Sequence, residues 1–505
     1  MKNVLEYLEN TAEVFAEKTA VICAGDSVCW DKLLDDSKKI GSAVAAKSEV
    51  RQPVPVLMEK GISALTSFFG IAYAGCFYVL VNPQLPQSRI EQILTVLNSK
   101  IIVTDNANSE LAEIVANGSE ILYVDQLLKS DISQEVLDNI REQALDLDPL
   151  YANFTSGSTG VPKGVLVSHK SVIDFIDIFD ETFSITEQDI IANQAPFDFD
   201  VSVKDIYSAI RTGATLVLVP KELFSAPTQL LDYLCDNNIT TMIWAVSALC
   251  LITTFHALDY KVPETVNKIL FSGEVMPMKH LKEWQKHLKD AMFVNLYGPT
   301  EVTCNCTYHI IDNDFEYENG IPIGKAFKNR EVFLLDDNNK LIAEENAVGE
   351  VCVKANSLAL GYYNNPEQTQ KHFVQNPLND KYIDIIYRTG DLAKYDSDKN
   401  FVFQGRKDFQ IKHMGHRIEI EEIEKAMEEC DAVERACCVF DERKSKLYGF
   451  YIGNIDKKEL HKQMKETLPV FMVPGALRQV EEMPLTKNGK IDRKLLLETA
   501  GGRRR

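Results

Sequence analysis

Short apolar runs rich in valine and isoleucine alternate with amphipathic stretches between residues 10 and 150. The runs at 100–104 and 121–124 have the length and composition of buried strands, and apolar residues recur at helical spacing over 90–98. Strands that alternate with helices in this way are typical of layered α/β folds with a largely parallel sheet. The pattern therefore predicts the α/β class for this region.

The alternation continues further along the chain, with strands predicted at 214–219 and 240–244. Residues 331–353 differ, because short alternating strands flank a turn at 336–339, which predicts a small β subdomain. Near residue 405 the pattern changes again, and a helix at 419–430 belongs to a compact α+β unit. The apolar run 64–81 contains two glycines and ends at Asn82-Pro83, so we expect a core helix and a buried strand rather than membrane insertion.

Composition and charge limit the kinds of partner. With 505 residues, 45% hydrophobic and 25% charged, the chain has the composition of a globular protein with more than one core. Its 54 basic and 74 acidic residues give a formal net charge of −20, which disfavours nucleic acid and anionic membranes as partners. The eleven cysteines form no paired CxxC framework, and the chain starts without a secretory pattern. We therefore expect free thiols and a cytoplasmic location.

A loop dense in glycine and hydroxyl residues, NFTSGSTGVPKG at 153–164, is the first candidate for chemistry. Its glycines allow several N–H groups to converge on phosphate oxygens, its hydroxyls add donors and Lys163 adds a positive charge. The spacing is not that of the P-loop of kinases and GTPases, and the residues that follow predict a strand rather than a helix. Taken alone, the loop is equally consistent with an ordinary surface turn.

Four further motifs follow the loop in order: NLYGPTE at 295–301, YRTGD at 387–391, GRKDFQIK at 405–412 and NGKIDRK at 488–494. Together the five motifs resemble the adenylate-forming superfamily over nearly the whole chain. Within it, the resemblance is to the stand-alone D-alanine:carrier-protein ligases and to the amino-acid adenylation domains of peptide synthetases. It implies a core of layered sheets at 1–407 and a small mobile lid at 408–505, with Asp408 at the hinge.

The resemblance also implies a binding site for ATP and Mg²⁺. Thr155 to Lys163 would hold the β- and γ-phosphates, and Tyr297 would pack on adenine. Asp391 would accept hydrogen bonds from the ribose, and Glu301 would bind Mg²⁺. The full set of predicted ATP-binding residues comprises Thr155, Ser156, Gly157, Ser158, Thr159, Gly160, Lys163, Asn295, Tyr297, Gly298, Thr300, Asp391 and Arg406, with Arg388 as a further candidate facing phosphate or ribose.

Two lysines match the catalytic positions of the family. Lys490 would bridge the substrate carboxylate and the α-phosphate, and so stabilise the charge that builds up during adenylation. Lys412 would serve the second half-reaction, in which a carrier thiol attacks the adenylate. Thr155 is the third residue assigned to catalysis. The alternative for Lys490 is a solvated surface lysine in a turn.

The amino-acid pocket is predicted from the string FDVSVKDIY at 199–207. Asp200 matches the family residue that binds the substrate ammonium, although an aspartate there could equally cap a helix. By the same matching, the remaining pocket residues are Lys204, Trp244, Leu270, Ser272, Leu296, Cys304 and Asn305. The chain departs from D-alanine ligases at Lys204, where they carry an apolar residue, and at Ser272, where they carry a cysteine.

Lys204 follows Asp200 by one helical turn, so both side chains lie on one face of the helix. Burying an ammonium without a partner costs on the order of several kcal/mol, so three arrangements are possible for Lys204. Lys204 could reach water, it could pair with a nearby aspartate (Asp198, Asp200 or Asp205), or it could bind an acidic or carbonyl-bearing group of the substrate.

The sequence thus predicts a free-standing ligase that adenylates a small amino acid and transfers it to the phosphopantetheine of a separate carrier protein. An acyl- or aryl-CoA synthetase is the first alternative, since such enzymes share the ATP motifs but normally lack the aspartate at position 200. A non-catalytic nucleotide-binding module is the second, although such a chain would be expected to lose Lys490 or Glu301.

Overall fold

The protein is described by a computed structural model covering residues 1–157, 160–312, 316–317, 320–442, 444–486 and 490–500. It divides into two compact units. The first unit contains 1–81, 97–153 and 164–407. The second contains 408–505 together with two short segments from earlier in the chain, 82–96 and 154–163. The phosphate loop predicted from the sequence therefore groups with the C-terminal residues.

The α-helices, in chain order, are α1 (Leu5–Phe15), α2 (Trp30–Ala45), α3 (Ile62–Tyr73), α4 (Gln87–Leu97), α5 (Ser109–Val115), α6 (Val124–Leu127), α7 (Gln134–Gln143), α8 (His169–Phe183), α9 (Val201–Thr212), α10 (Pro227–Asp236), α11 (Val246–Thr254), α12 (Met278–His287), α13 (Pro366–His372), α14 (Ile420–Glu428), α15 (Lys457–Thr467) and α16 (Arg493–Ala500). The helix expected at 90–98 is α4, and the one expected at 419–430 is α14. The apolar run 64–81 forms most of α3 and the strand after it, as predicted.

The first strands are β1 (Thr19–Cys23), β2 (Asp26–Cys29), β3 (Pro53–Leu57), β4 (Phe77–Leu80), β5 (Ile101–Thr104), β6 (Glu120–Tyr123), β7 (Pro149–Thr155), β8 (Lys163–Ser168), β9 (Ile190–Asn193), β10 (Thr215–Leu218), β11 (Thr241–Ala245), β12 (Lys268–Ser272), β13 (Met292–Tyr297), β14 (Thr307–Ile310) and β15 (Lys325–Ala326). The later strands are β16 (Arg330–Leu335), β17 (Leu341–Ile342), β18 (Gly349–Ala355), β19 (Gly361–Tyr362), β20 (Phe373–Gln375), β21 (Ile385–Tyr395), β22 (Phe401–Arg406), β23 (Ile411–His413), β24 (His416–Ile418), β25 (Val433–Asp441), β26 (Lys446–Gly453) and β27 (Ala476–Gln479).

Two largely parallel sheets form the body of the first unit. One has the order β15-β14-β13-β12-β11-β9-β10-β1-β2 and the other the order β19-β8-β7-β4-β3-β5-β6. A single apolar core contains residues of both sheets and of the helices α1, α2, α3, α8 and α9. A second core covers the opposite face of the first sheet with α10, α11 and α12. The α/β class predicted from the alternating pattern is confirmed.

The small β subdomain predicted at 331–353 is present. Strands β16, β17 and β18 pair antiparallel, and β21 continues the sheet to β20 and β22. The predicted turn connects β16 to β17, where one Asp336 carboxylate oxygen accepts hydrogen bonds from the backbone N–H groups of Asn338 and Lys340. Asn339 occupies the left-handed region in this turn, with φ of 61°. Asparagine tolerates that conformation better than most residues.

The C-terminal residues of the second unit have their own apolar cores, which fits the prediction of a compact α+β arrangement. The strands β25, β26 and β27 form one sheet, and β23 and β24 form a hairpin. One core packs α14 and α15 on this sheet, and a smaller one packs α16. In the described parts of both units, no helix is long and apolar enough to cross a bilayer.

Gly324 is required by the close approach of two chain segments. It has φ of +83°, and a Cβ at this position would lie 1.9 Å from the Tyr308 carbonyl oxygen. Gly25 also has a positive φ, 94°, but a Cβ there meets nothing within 4 Å. We expect Gly324→Ala to lower the free energy of unfolding by more than about 3 kcal/mol and Gly25→Ala by about 1 kcal/mol, as measured by urea titration. Equal losses would contradict the clash.

His169 predicts a pH dependence of stability. Its ring is buried and accepts a hydrogen bond from the Val4 N–H at 3.3 Å, and burial lowers its pKa from 6.5 to about 3. As the pH falls through about 6.5, His169 binds a proton in the unfolded chain but not in the folded chain, so stability is lost over this range.

Between pH 7.5 and 5.5 this single group should remove about 1.4 kcal/mol from the free energy of unfolding. His169→Gln keeps an acceptor for the Val4 N–H but cannot titrate in this range. In urea titrations of the variant, the free energies of unfolding at pH 7.5 and pH 5.5 should therefore differ by about 1.4 kcal/mol less than in the wild type. An unchanged difference would show that His169 is not the group responsible.

Candidate adenylation site

The end of β13 and the turn after it bring together several predicted residues. Gly298 follows β13, and a Cβ there would lie 2.5 Å from the Asn305 Cα, so only glycine fits. Thr300–Val302 form a short 3-10 helix, and the next two residues, Thr303 and Cys304, both have positive φ. The chain thereby folds back, and the Cys306 N–H donates to the Tyr297 carbonyl at 2.8 Å.

Asp391 lies at the centre of a buried polar cluster in the first unit. The Tyr297 hydroxyl donates to its Oδ2 at 2.6 Å, and the Arg406 guanidinium pairs with its Oδ1. The strand register dictates the pairing, because Asp391 of β21 lies directly opposite Arg406 of β22. Burial, followed by the charge of Asp391, raises the pKa of Tyr297 well above its ordinary value, so the phenol remains a donor.

Two other predicted nucleotide residues have structural partners. The Asn295 side-chain amide donates to the Pro322 carbonyl at 2.9 Å. Arg388 donates to Glu350 and to Asn339, and these bonds to Glu350 raise the pKa of Arg388. The Arg388 guanidinium thus contacts Glu350 and Asn339, and no hydrogen bond among the described residues joins it to Asp391.

Glu301 is fully buried in the short helix after β13. Its Oε1 accepts a hydrogen bond from the Tyr362 hydroxyl at 2.6 Å, and its carbonyl accepts one from the Ala359 N–H at 2.8 Å. A buried carboxylate held in this way suits Mg²⁺, which prefers carboxylate and phosphate oxygens. Thr300, half-buried, precedes it directly.

The phosphate loop connects β7 to β8, as the strand predicted after it requires. The Thr155 hydroxyl is buried and has no hydrogen-bond partner among the described residues, so it is available to a ligand. Gly160 has φ of +81°, a conformation that favours glycine. The neighbouring predictions, Ser158 and Thr159, lie outside the described residues.

Carboxylates of the C-terminal segment occupy several donors of this loop. Lys163 Nζ lies 3.6 Å from Glu419 Oε1, and the Gly157 N–H donates to Glu422 Oε2 at 3.2 Å. Arg89 of α4 donates to the other oxygen of Glu422 at 2.5 Å. Burial raises the pKa of Glu422, and Arg89 opposes that shift. The loop therefore binds carboxylate oxygens of the C-terminal segment.

Ser156 completes this contact through the backbone. Its hydroxyl donates to the Arg417 carbonyl at 2.7 Å and accepts from the Glu419 N–H at 3.2 Å. Sequence reasoning missed Arg89, Glu419 and Glu422. The available signal was weak, because two of them sit at the start of a predicted amphipathic helix, where acidic residues are common.

The predicted catalytic lysines both lie in the second unit. Lys412, half-buried on β23, lies opposite Arg417 in the hairpin. Lys490 is exposed, its N–H donates to the Thr486 hydroxyl at 3.3 Å and its carbonyl accepts from the Thr486 N–H at 2.7 Å. The predicted hinge residue Asp408 is the first residue of the C-terminal segment, and its carboxylate accepts from the Gln410 N–H at 3.2 Å.

The residues of the predicted amino-acid pocket lie in the first unit, where Lys204 of α9 contacts Ser272 at the carboxyl end of β12. Asp200 immediately precedes α9, and its carbonyl accepts a hydrogen bond from the Cys304 thiol at 3.2 Å. Ser272 ends β12 and pairs with Leu296 of β13. Leu270, Leu296 and Cys304 belong to one apolar core.

Lys204 is buried, with 1% of its surface exposed. Its ammonium donates to Asn305 Oδ1 at 2.9 Å and to Ser272 Oγ at 3.5 Å. The Lys204 ammonium thus brings together three predicted pocket residues from distant parts of the chain, namely Lys204 itself, Ser272 and Asn305. The thiol of Cys304 is neutral, because burial and the nearby Asp200 raise its pKa well above the ordinary value.

The structure does not bring Trp244 together with the other predicted pocket residues. Alternation along β11 sends its side chain to the opposite face of the sheet, into the core that contains Phe271, which is its strand partner. There the indole N–H donates to the Ala192 carbonyl at 2.8 Å, and the ring packs on Phe224. Matching of motifs alone could not distinguish the two faces.

Asp205 is a buried acid that the sequence indicated only as a possible partner of Lys204. Its Oδ2 accepts a hydrogen bond from the Asn193 amide at 2.6 Å, and burial raises its pKa to about 8. Lys204 opposes that shift through its charge but forms no ion pair with Asp205.

Comparison with known proteins agrees with this arrangement of motifs. The family model of AMP-binding enzymes matches residues 8–363, and that of the AMP-binding enzyme C-terminal domain matches residues 422–490. Zwittermicin A synthase ZmaJ of Bacillus cereus is 34% identical over 95% of this chain and 92% of its own length. Surfactin synthase subunit 1 of Bacillus subtilis is 30% identical over 98% of this chain, which spans only 14% of that much longer protein.

Solved structures share the fold. The Vibrio cholerae adenylation domain AlmE, determined in complex with glycyl-adenosine-5'-phosphate, superposes with a TM-score of 0.86 at 22% identity, covering 99% of this chain and 98% of that one. The extent of the family match, together with ZmaJ, decides the classification. The chain belongs to the AMP-binding enzymes and hence to the adenylate-forming superfamily, whose common chemistry is ATP-dependent adenylation.

Proposed function

We propose that this chain adenylates a small amino acid with ATP and transfers it to the phosphopantetheine thiol of a separate carrier protein. The observation that carries the amino-acid assignment is the position of Asp200. It directly precedes α9, and its carbonyl accepts a hydrogen bond from the Cys304 thiol, which holds Asp200 next to another predicted pocket residue. We assign its carboxylate to the substrate ammonium. A fatty or aromatic acid offers no cation for this carboxylate.

The nucleotide site is assigned to the buried cluster around Asp391. Its carboxylate, held by Tyr297 and Arg406, accepts hydrogen bonds from the ribose hydroxyls. Tyr297, whose ring is buried, would also contact adenine. Glu301, next to Thr300, would hold Mg²⁺, which neutralises phosphate charge when bound.

In the adenylation step, the Thr155 hydroxyl and Lys163 bind phosphate oxygens, and Thr300 contacts the α-phosphate. The substrate carboxylate attacks the α-phosphorus, and the bond from that phosphorus to the pyrophosphate oxygen breaks. Lys490 stabilises the charge on the carboxylate and the α-phosphate during this displacement. Lys412 serves the later attack of the carrier thiol, which releases AMP. The free cysteine thiols support assignment to a reducing, cytoplasmic compartment.

The proposed function is tested by amino-acid-dependent exchange of pyrophosphate into ATP, followed by transfer to a thiol. We expect exchange with at least one small amino acid and loading of a phosphopantetheinylated carrier, with free coenzyme A at least about 100-fold poorer as acceptor. Efficient thioester formation with coenzyme A and a carboxylic acid lacking the ammonium would instead identify an acyl-CoA synthetase. Asp200→Asn should abolish the preference for the amino acid over its des-amino analogue.

The two lysines should separate the half-reactions. Lys490→Ala is expected to slow pyrophosphate exchange about 100-fold or more, because it removes charge stabilisation from the displacement. Thioester formation from a supplied aminoacyl adenylate should be nearly unchanged in this variant. Lys412→Ala should show the reverse pattern in the same two assays. Equal loss of both activities in either variant would contradict this division of roles.

The contact between Glu419 and the phosphate loop predicts a competition with ATP. Since the Glu419 carboxylate lies beside Lys163, Glu419→Gln removes a competing anion and should lower the KM for ATP about three- to tenfold in the exchange assay. Glu421→Gln, two residues further along in the first turn of α14, makes the same charge change, and no hydrogen bond or ion pair joins Glu421 to the described residues of the loop. If both variants changed KM equally, the effect would come from overall charge.

A further inference from the structure

We infer that Lys204 determines substrate specificity by binding an oxygen acceptor on the side chain of the amino acid. The inference rests on the proposed function, which it narrows to small amino acids bearing a hydroxyl, amide or carboxylate group. It depends on the surroundings of a single buried ammonium.

The structure removes two of the three arrangements that the sequence leaves open for Lys204. With 1% of its surface exposed, the side chain does not reach bulk water. Among the described residues its ammonium forms no ion pair, and its hydrogen-bond partners are the neutral oxygens of Asn305 and Ser272. The nearest candidate acid in sequence, Asp205, is bonded instead to Asn193. The remaining arrangement is contact with the substrate.

The bonding capacity of Lys204 supports this assignment. An ammonium has three N–H donors, and only two acceptors lie within reach among the described residues. The Ser272 contact is long, at 3.5 Å, and is therefore easily replaced by a better acceptor. A buried cation with neutral partners gains most from an additional oxygen, above all an anionic one.

The other predicted pocket residues are apolar. Leu270, Leu296 and Cys304 are buried in the adjoining apolar core, so a polar group of the substrate would find its partners at Lys204, Asn305 and Ser272. Asn305 and Ser272 can also donate hydrogen bonds to the acceptor that Lys204 binds. The arrangement thus fits a side chain that ends in oxygen, such as that of serine, asparagine or aspartate. An apolar side chain would give the third N–H donor of Lys204 no acceptor.

The test compares substrates of similar shape with and without the oxygen. Pyrophosphate exchange is measured with serine against 2-aminobutyrate, and with asparagine and aspartate against leucine, with glycine and both enantiomers of alanine alongside. We expect kcat/KM to favour the oxygen-bearing member of one pair by roughly 100-fold or more. A preference for serine over 2-aminobutyrate would identify a hydroxyl group. A preference for asparagine or aspartate over leucine would identify an amide or a carboxylate.

Lys204→Met, of similar length but uncharged, should reduce this preference to about tenfold or less, mainly by raising the KM of the oxygen-bearing substrate. Lys268→Met is the matched control. Lys268 is also a poorly exposed lysine, on the same strand as Ser272, but it pairs with Asp189 at the other end of β12. The control should therefore keep the wild-type preference even if it is less stable.

Each outcome decides the inference. A wild-type preference for alanine, glycine or leucine overturns the role of Lys204 and leaves the proposed function intact. Failure of every amino acid to support exchange overturns both. If thermal unfolding shows that Lys204→Met is not folded, the substrate preference is measured in Asn305→Leu and Ser272→Ala instead. Both variants must then lower it. An unchanged preference in those variants overturns the inference.

Discussion

The arrangement of this protein depends on parallel strand pairing in its largest sheet. Strands β11, β12 and β13 run side by side, so their carboxyl ends lie at one edge, and loops and helices that follow them converge there. Ser272, the turn at Gly298 and the segment carrying Asn305 are positioned by this pairing rather than by local preference. Strand β14 pairs antiparallel with β13, so the pairing also holds the end of the turn that starts at Gly298.

Most of the fold was predictable because its signals are local. Val/Ile-rich runs and helical periodicity placed β5, α4, β11 and α14 within a few residues, and the Asp336 turn was evident from its composition. The order of motifs likewise indicated the family. These features depend on backbone propensity and burial, which one sequence expresses directly.

The parts of the candidate site that could not be predicted depend on long-range geometry. Whether Trp244 faces the pocket or the second core is decided by one residue of strand register. Arg388 carries a charge that suits phosphate, yet its strand places it beside Glu350. The partners of Lys204 lie 68 and 101 residues away, beyond any sequence window.

The anion-filled phosphate loop has a thermodynamic consequence. Because the Glu419 carboxylate lies beside Lys163 and Glu422 accepts from the Gly157 N–H, these donors are held in place and partly dehydrated. Binding of a polyphosphate at the proposed site would exchange one set of oxygens for another, while Arg89 still contacts the other oxygen of Glu422. Its enthalpy should be small relative to the number of bonds formed, and most of the selectivity for phosphate over simple carboxylates must come from its higher charge.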